Sequence, residues 1–165
     1  MIIFLDIETT GLDPTVDRIL EVAAVEVTPA MEPVRGISSV IQHDPAKCNM
    51  VEYVRDMHTR SGLLAALPTG LAFGLARDRF LEWLGPGPHT LAGDSVHFDR
   101  SFLIAQWPAV AAQFSHRLLD VSAFNVARAV LGLPACPILG GNHRAEADVL
   151  ASIARARWHL SRIAA

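Results

Sequence analysis

The opening stretch MIIFLDIETTGLD constrains this chain more than any other. Ile2, Ile3, Phe4 and Leu5 run straight into Asp6, with Glu8 two places on and Thr9-Thr10-Gly11 behind it. A short apolar run closed by turn residues reads as a buried strand, here 2–8. Strand side chains alternate between faces, so Asp6 and Glu8 share one. Two neighbouring carboxylates repel each other unless something cationic stands between them. Two readings are open: a strand end in solvent, or a site for Mg²⁺ or Mn²⁺, which favour several carboxylate oxygens. Thr9, Thr10 and Gly11 allow a tight turn and close backbone approach.

The rest of the chain reads as an α/β pattern. Residues 18–28 form a second strand and 37–43 a third, with the Pro33- and Gly36-containing segment 30–36 as the turn between them. Met50, Tyr53, Val54 and Met57 have helical spacing, broken at Ser61-Gly62. In 70–85, Phe73, Ala76, Phe80 and Leu84 make a helical stripe that Gly85-Pro86 stops. HTLAGDS reads as a short buried strand, FDRSFLIAQW as a helix up to Pro108, and RLLDVS as another strand. Ser122 is expected to cap a helix over 123–131. Residues 133–142 are a loop, and a last helix starts soon after His143 and runs to about Arg162. Strands first, then strands alternating with helices, give a mixed sheet flanked by helices in one domain, 1–165.

Composition narrows the function. The 165 residues are 51% apolar, enough for a substantial core. The net charge of −3 argues against holding long duplexes by charge alone, which needs clustered Lys and Arg. It leaves room for a short or metal-bridged nucleic acid, because a divalent ion reverses the sign of an acidic pocket. No stretch is long and apolar enough to span a membrane, and no leader segment is visible. Cys48 and Cys136 make no framework, and a reduced, cytoplasmic setting is expected.

Two further stretches carry acidic residues. AGDSVHFDRSFL (92–103) offers Asp94 and Asp99, and Asp99 falls where strand gives way to helix, at the carboxyl end of the sheet. Asp99 either serves a ligand there or caps its helix. GNHRAEADVL (141–150) offers His143 and Asp148. Five residues apart, they would lie about 140° from each other on a regular helix. They converge more easily if His143 precedes the helix. A histidine is a ready general base near neutral pH. Asp120 reads as a residue before a helix start, Arg128, Arg155, Arg157 and Arg162 as solvated helix charges, and Trp83, Trp107 and Trp158 as packing residues.

Taken together, these stretches resemble the DEDDh 3′–5′ exonuclease superfamily, and more narrowly oligoribonuclease. The pattern is Asp6-Ile7-Glu8-Thr9-Thr10-Gly11-Leu12, the internal Asp99, and His143 through Asp148. RDMHTRSGL (55–63), GDSVHFDRSFL (93–103) and RLLDVS (117–122) carry the narrower likeness, which spans roughly 2–162. The resemblance implies a ribonuclease H-like mixed sheet and two Mg²⁺ or Mn²⁺ ions held by Asp6, Glu8, Asp99 and Asp148. It also implies His143 as general base and a homodimer. For the substrate it implies base contacts from Leu12 and Tyr53, phosphate and backbone contacts from His58 and Ser95, and an Arg100 near the site. The expected reaction is hydrolysis of short single-stranded RNA to nucleoside 5′-monophosphates.

Three departures bear on specificity. Asp94 stands where the family has Asn, and an acid there weakens phosphate binding unless it faces away. Phe98 stands where the family has Gln, exchanging an amide for a ring that stacks. His116 stands where the family has a Tyr that reaches the partner's substrate; it either replaces that Tyr or the contact is missing. The alternative is a broader 3′–5′ exonuclease or proofreading-type enzyme acting on longer single-stranded DNA or RNA. A silent binding module on the same scaffold would lack one of the five chemical residues, and all five are present.

Overall fold

The computed structural model describes residues 1–138 and 140–163. In chain order the strands and α-helices are β1 (Ile2–Thr9), β2 (Ile19–Val27), β3 (Pro33–Val40), α1 (Glu52–Arg60), α2 (Leu63–Ala66), α3 (Phe73–Leu84), β4 (His89–Gly93), α4 (His97–Gln106), α5 (Pro108–Ala111), β5 (Phe114–Asp120), α6 (Ser122–Val130) and α7 (Ala145–Ile163). They form one five-stranded sheet in the order β3-β2-β1-β4-β5. The first three strands pair antiparallel, and β1-β4-β5 pair parallel.

The alternation in β1 decides the layers. Ile3, Leu5 and Ile7 point to one face and pack with Ala76, Phe80 and Leu84 of α3 and Phe102 and Leu103 of α4. Phe4 points to the other face and packs with Val149, Ile153 and Ala156 of α7. Asp6 and Glu8 follow Phe4 in phase, so they fall on the α7 face. A smaller cluster of Leu20, Cys48, Leu63 and Leu67 closes the region under α2.

Two local expectations are corrected. The third strand starts at Pro33, not 37, and the turn shortens to Thr28–Glu32, closed by the Thr28 N–H on the Glu32 carbonyl at 2.9 Å. Pro33 and Gly36 are tolerated because β3 is an edge strand, where a missing donor costs little. Ser122 is the first residue of α6 rather than its side-chain cap. The acceptor is Asp120, whose Oδ1 takes the Ser122 N–H at 3.0 Å and its hydroxyl at 2.7 Å.

The thiols of Cys48 and Cys136 are both free. No helix among the described residues is long and apolar enough to cross a membrane.

Candidate active site

Parallel pairing of β1, β4 and β5 brings Glu8, Gly93 and Asp120 to one end of the sheet, the end where such sheets take ligands. There α7 lays its first turn across β1. Asp6, Glu8 and Asp148 each offer a carboxylate oxygen within 4.8 Å of the others. Glu8 is buried, and Asp6 and Asp148 are half-buried. Burial, then the charges of Asp148, Asp94 and Glu21, push the Asp6 carboxyl up to about 7. Burial, then Asp6, Asp148 and Glu21, push Glu8 up to about 8. Arg155 and Arg144 offset this only in part. Three carboxylates this close, two of them held above the ordinary range, form a donor set suited to a divalent cation with oxygen preference.

Asp99 arrives from the opposite face, in the first turn of α4. It is 3% exposed. Its Oδ1 accepts the Ile7 N–H at 2.9 Å, one residue from each of Asp6 and Glu8 along β1. Burial, then the nearby Asp6 charge, raises its carboxyl well above the ordinary range. It stands outside the trio of mutually close carboxylates.

The Thr-Thr-Gly turn is built by Asp17. Its Oδ1 accepts the Thr10 hydroxyl at 2.8 Å and its Oδ2 the Asp13 N–H at 2.9 Å. A Cβ on Gly11 would stand 2.7 Å from the Asp17 Cγ, so a larger residue would push the Asp17 carboxylate off its partners. The loop leaves Leu12 82% exposed beyond the carboxylates.

The remaining expected contacts divide. Tyr53 on α1 is 69% exposed, and His116 on β5 and His143 are exposed. His143 sits just before α7 in a left-handed backbone conformation, φ 59°. Ser95 is exposed with φ 49°, its N–H held by Asp120 Oδ1 at 3.0 Å. Arg100 donates to the Ser115 carbonyl at 2.7 Å, tying α4 to β5. Phe98 is half-buried, packs on the core and lies 5.0 Å from the Phe102 ring. His58 departs most from a surface that touches substrate: it is fully buried. Its Nε2–H donates to the Thr9 carbonyl at 2.9 Å, and its Nδ1 lies 3.9 Å from Glu8. Burial lowers its pKa, so a neutral ring backs Glu8 and does not compensate it. Asp94 faces α7, where Ser152 donates to it at 2.6 Å and Arg155 pairs with it. Arg128 and Arg162 lie over Trp158, 4.6 and 4.1 Å from the ring centroid, rather than standing free in solvent.

Two residues of the site escaped the sequence reading, Glu21 and Arg144. Glu21 on β2 lies directly opposite Glu8, buried, and takes a forked ion pair from Arg144. An acid at the third place of the apolar run ILEVAAVEV is the available signal.

A mixed sheet with three clustered carboxylates, a fourth buried against the strand and a histidine ahead of the last helix defines a phosphodiester hydrolase of the exonuclease class. A family model described as Exonuclease matches residues 3–155. The chain belongs to the DEDDh 3′–5′ exonuclease superfamily and is closely related to the oligoribonucleases. It is 37% identical over 164 residues to an oligoribonuclease of Cutibacterium acnes, covering 93% of this chain and 81% of that one. It is 35% identical over 165 residues to one of Leifsonia xyli, covering 92% and 78%. Among solved structures, an E. coli exonuclease I complex with single-stranded DNA aligns with a TM-score of 0.71 at 19% identity. That alignment covers 98% of this chain but only 40% of the exonuclease I chain, and it speaks to the ribonuclease H-like fold alone.

Proposed function

We propose that this chain is a metal-dependent 3′–5′ exoribonuclease that hydrolyses short RNA oligonucleotides to nucleoside 5′-monophosphates. The observation that carries the reading is the trio Asp6, Glu8 and Asp148, whose repulsion the protein itself leaves largely uncompensated. Asp6, Glu8, Asp148 and, from the other face, Asp99 would hold two Mg²⁺ or Mn²⁺ ions. Such ions, when bound, polarise the scissile phosphate, ease ionisation of the attacking water and stabilise the departing 3′ oxygen. His143, exposed just before α7, takes the proton of that water. The water oxygen bonds to phosphorus, the bond from phosphorus to the 3′ oxygen breaks, and that oxygen takes a proton from solvent water, so the shortened strand leaves with a free 3′ hydroxyl.

Leu12 and Tyr53 offer apolar and aromatic surface to a terminal base, a contact that tolerates any sequence. Ser95 offers a hydroxyl to a terminal phosphate. Asp94 does not oppose that phosphate while Ser152 and Arg155 hold its carboxylate toward α7. The net charge of −3 favours short substrates over long strands. A homodimer fits α6, which buries none of its residues and leaves Val126 and Val130 exposed, followed by Leu131; light scattering at a monomer mass would remove it.

The deciding experiment is a length series: two-, three-, seven- and twenty-nucleotide substrates, RNA beside DNA, with Mn²⁺ or Mg²⁺. Rates should fall steeply above a few nucleotides. Rates flat with length would favour the broader exonuclease on longer single-stranded DNA or RNA. H143A should lose about 10²- to 10³-fold in kcat. Near-wild-type hydrolysis by H143A across pH would remove the general-base role.

A further inference from the structure

The reaction read above uses Asp148 and His143 but not what fixes them. Asp148 sits in the first turn of α7, and His143 immediately precedes Arg144. Both depend on how the amino end of α7 meets the sheet. That end is held from β2. Arg144 Nε donates to Glu21 Oε2 at 3.0 Å and Oε1 at 3.2 Å, and its Nη2 to Oε1 at 2.7 Å. The N–H of Ala145, the first residue of α7, donates to Glu21 Oε2 at 3.0 Å. The sheet thus supplies a helix cap across 124 residues of chain.

A helix leaves its first N–H groups without internal partners, and a capping carboxylate satisfies them and complements the helix dipole. At α7 two carboxylates share this work. Glu21 takes the Ala145 N–H, and Asp148 Oδ2 reaches back to the Arg144 N–H at 3.1 Å. Asp148 is a member of the acidic trio. A cation competing for its oxygens would weaken its reach to Arg144, leaving Glu21 as the hold on the helix end. Gly141 leaves room for the same carboxylate, for a Cβ there would overlap Asp148. The pair has a second consequence. Glu21 lies directly opposite Glu8, so its charge adds to the repulsion around the trio. Arg144 neutralises Glu21, and Glu21 in turn keeps the guanidinium occupied, so that it does not displace a cation from Glu8.

We propose that Glu21 and Arg144 are positioning residues: their part-buried ion pair sets the first turn of α7, so that Asp148 meets Asp6 and Glu8 and His143 stands ready before it. The proposal rests on the metal-dependent reading above. Its test therefore has one readout that needs no substrate. R144K keeps the charge but loses the fork, and E21Q keeps the shape but releases the guanidinium toward Glu8. Both are compared with wild type by calorimetric titration of Mn²⁺ into metal-free protein and by kcat and KM on a short oligoribonucleotide. Circular dichroism checks the fold. Partners of this kind around metal ligands are worth about 10- to 100-fold in metal affinity or activity. Each variant should show that loss in Mn²⁺ affinity and in kcat, with KM changed less than threefold and the folded signal retained at assay temperature.

Mn²⁺ affinity and kcat within twofold of wild type in both variants would overturn the proposal. So would a loss of activity that only tracks the fraction unfolded, which would make the pair a stability element. Should wild type turn over no oligonucleotide while R144K still binds Mn²⁺ more weakly, the substrate reading fails and the positioning role stands.

Discussion

Asp99 and Asp148 reach the same strand from opposite faces of the sheet, each in the first turn of a helix. Their surroundings differ. Asp148 is half-buried, close to Asp6 and Glu8, and its carboxylate accepts the Arg144 N–H. Asp99 is 3% exposed and bonded to the Ile7 N–H in the middle of β1. One carboxylate is poised to exchange a weak cap for a cation, and the other also holds strand to helix. Two acids that look equivalent in the motif thus differ in how far chemistry and stability are mixed in them.

The largest expected effect exposes that mixture. D148N should lose on the order of 10³-fold in kcat, because charge stabilisation by a bound cation is worth several kcal/mol. Its metal-free stability should hold or rise, since a repelling charge is removed. D99N should also lose activity, while its amide oxygen can still accept the Ile7 N–H. D99A should lose activity and, in addition, about 1–3 kcal/mol of stability, the cost of leaving a buried donor unpaired. Chemical denaturation of the three variants in EDTA checks this. If D148N proves less stable than D99A, the comparison is reversed.

The acidic trio makes the next prediction, on stability against pH. The Glu8 carboxyl rises from an ordinary 4.5 to about 8 on folding, and Asp6 from 3.8 to about 7. The folded state therefore keeps protons that the unfolded chain has released. The stability this supplies is whole below about pH 4 and is lost as pH rises through 7 to 8. Metal-free protein should accordingly melt at falling temperature from pH 5 to 8, and Mn²⁺ should stabilise it most at pH 8. E8Q should flatten the profile and exceed wild type at pH 8 without metal by roughly 2 kcal/mol. A wild-type melting temperature that climbs across this range would show that the trio is compensated by the protein after all.

The asymmetry between the two aspartates also marks how far the sequence could be read. Periodicity put Asp6 and Glu8 on one face, and resemblance named Asp99, His143 and Asp148. These are local patterns: β1 carries the pair, α4 carries Asp99, and His143 precedes α7, which carries Asp148. Glu21 and Arg144 lie 123 residues apart, and only the register of β2 on β1 and the seat of α7 join them. Resemblance alone gives His58 a phosphate or backbone contact, and it is fully buried in the free chain. Its ring is tied to the Thr9 carbonyl and backs Glu8, a long-range contact that spacing alone does not reveal. Pro33 and Gly36 read as a turn because they punctuate most sequences, and the edge position of β3 is a property of the sheet order. Asp94 looked like an obstacle to phosphate until α7 brought Ser152 and Arg155 to it.

The smallest effect separates binding from both aspartates. Leu12 belongs to neither helix and extends from the loop after β1, 82% exposed. L12A should leave the melting temperature nearly unchanged, because exposed positions of this kind shift stability by less than about 0.5 kcal/mol. It should raise KM about fivefold with kcat unaltered, the loss of roughly 1 kcal/mol of apolar contact with a base. Combined with D99N, the two losses should add, since one side chain acts on binding and the other on the reacting end. Losses that fail to add would mean that the base seat and the buried aspartate are coupled through β1, and that the Ile7 N–H held by Asp99 also sets where Leu12 stands.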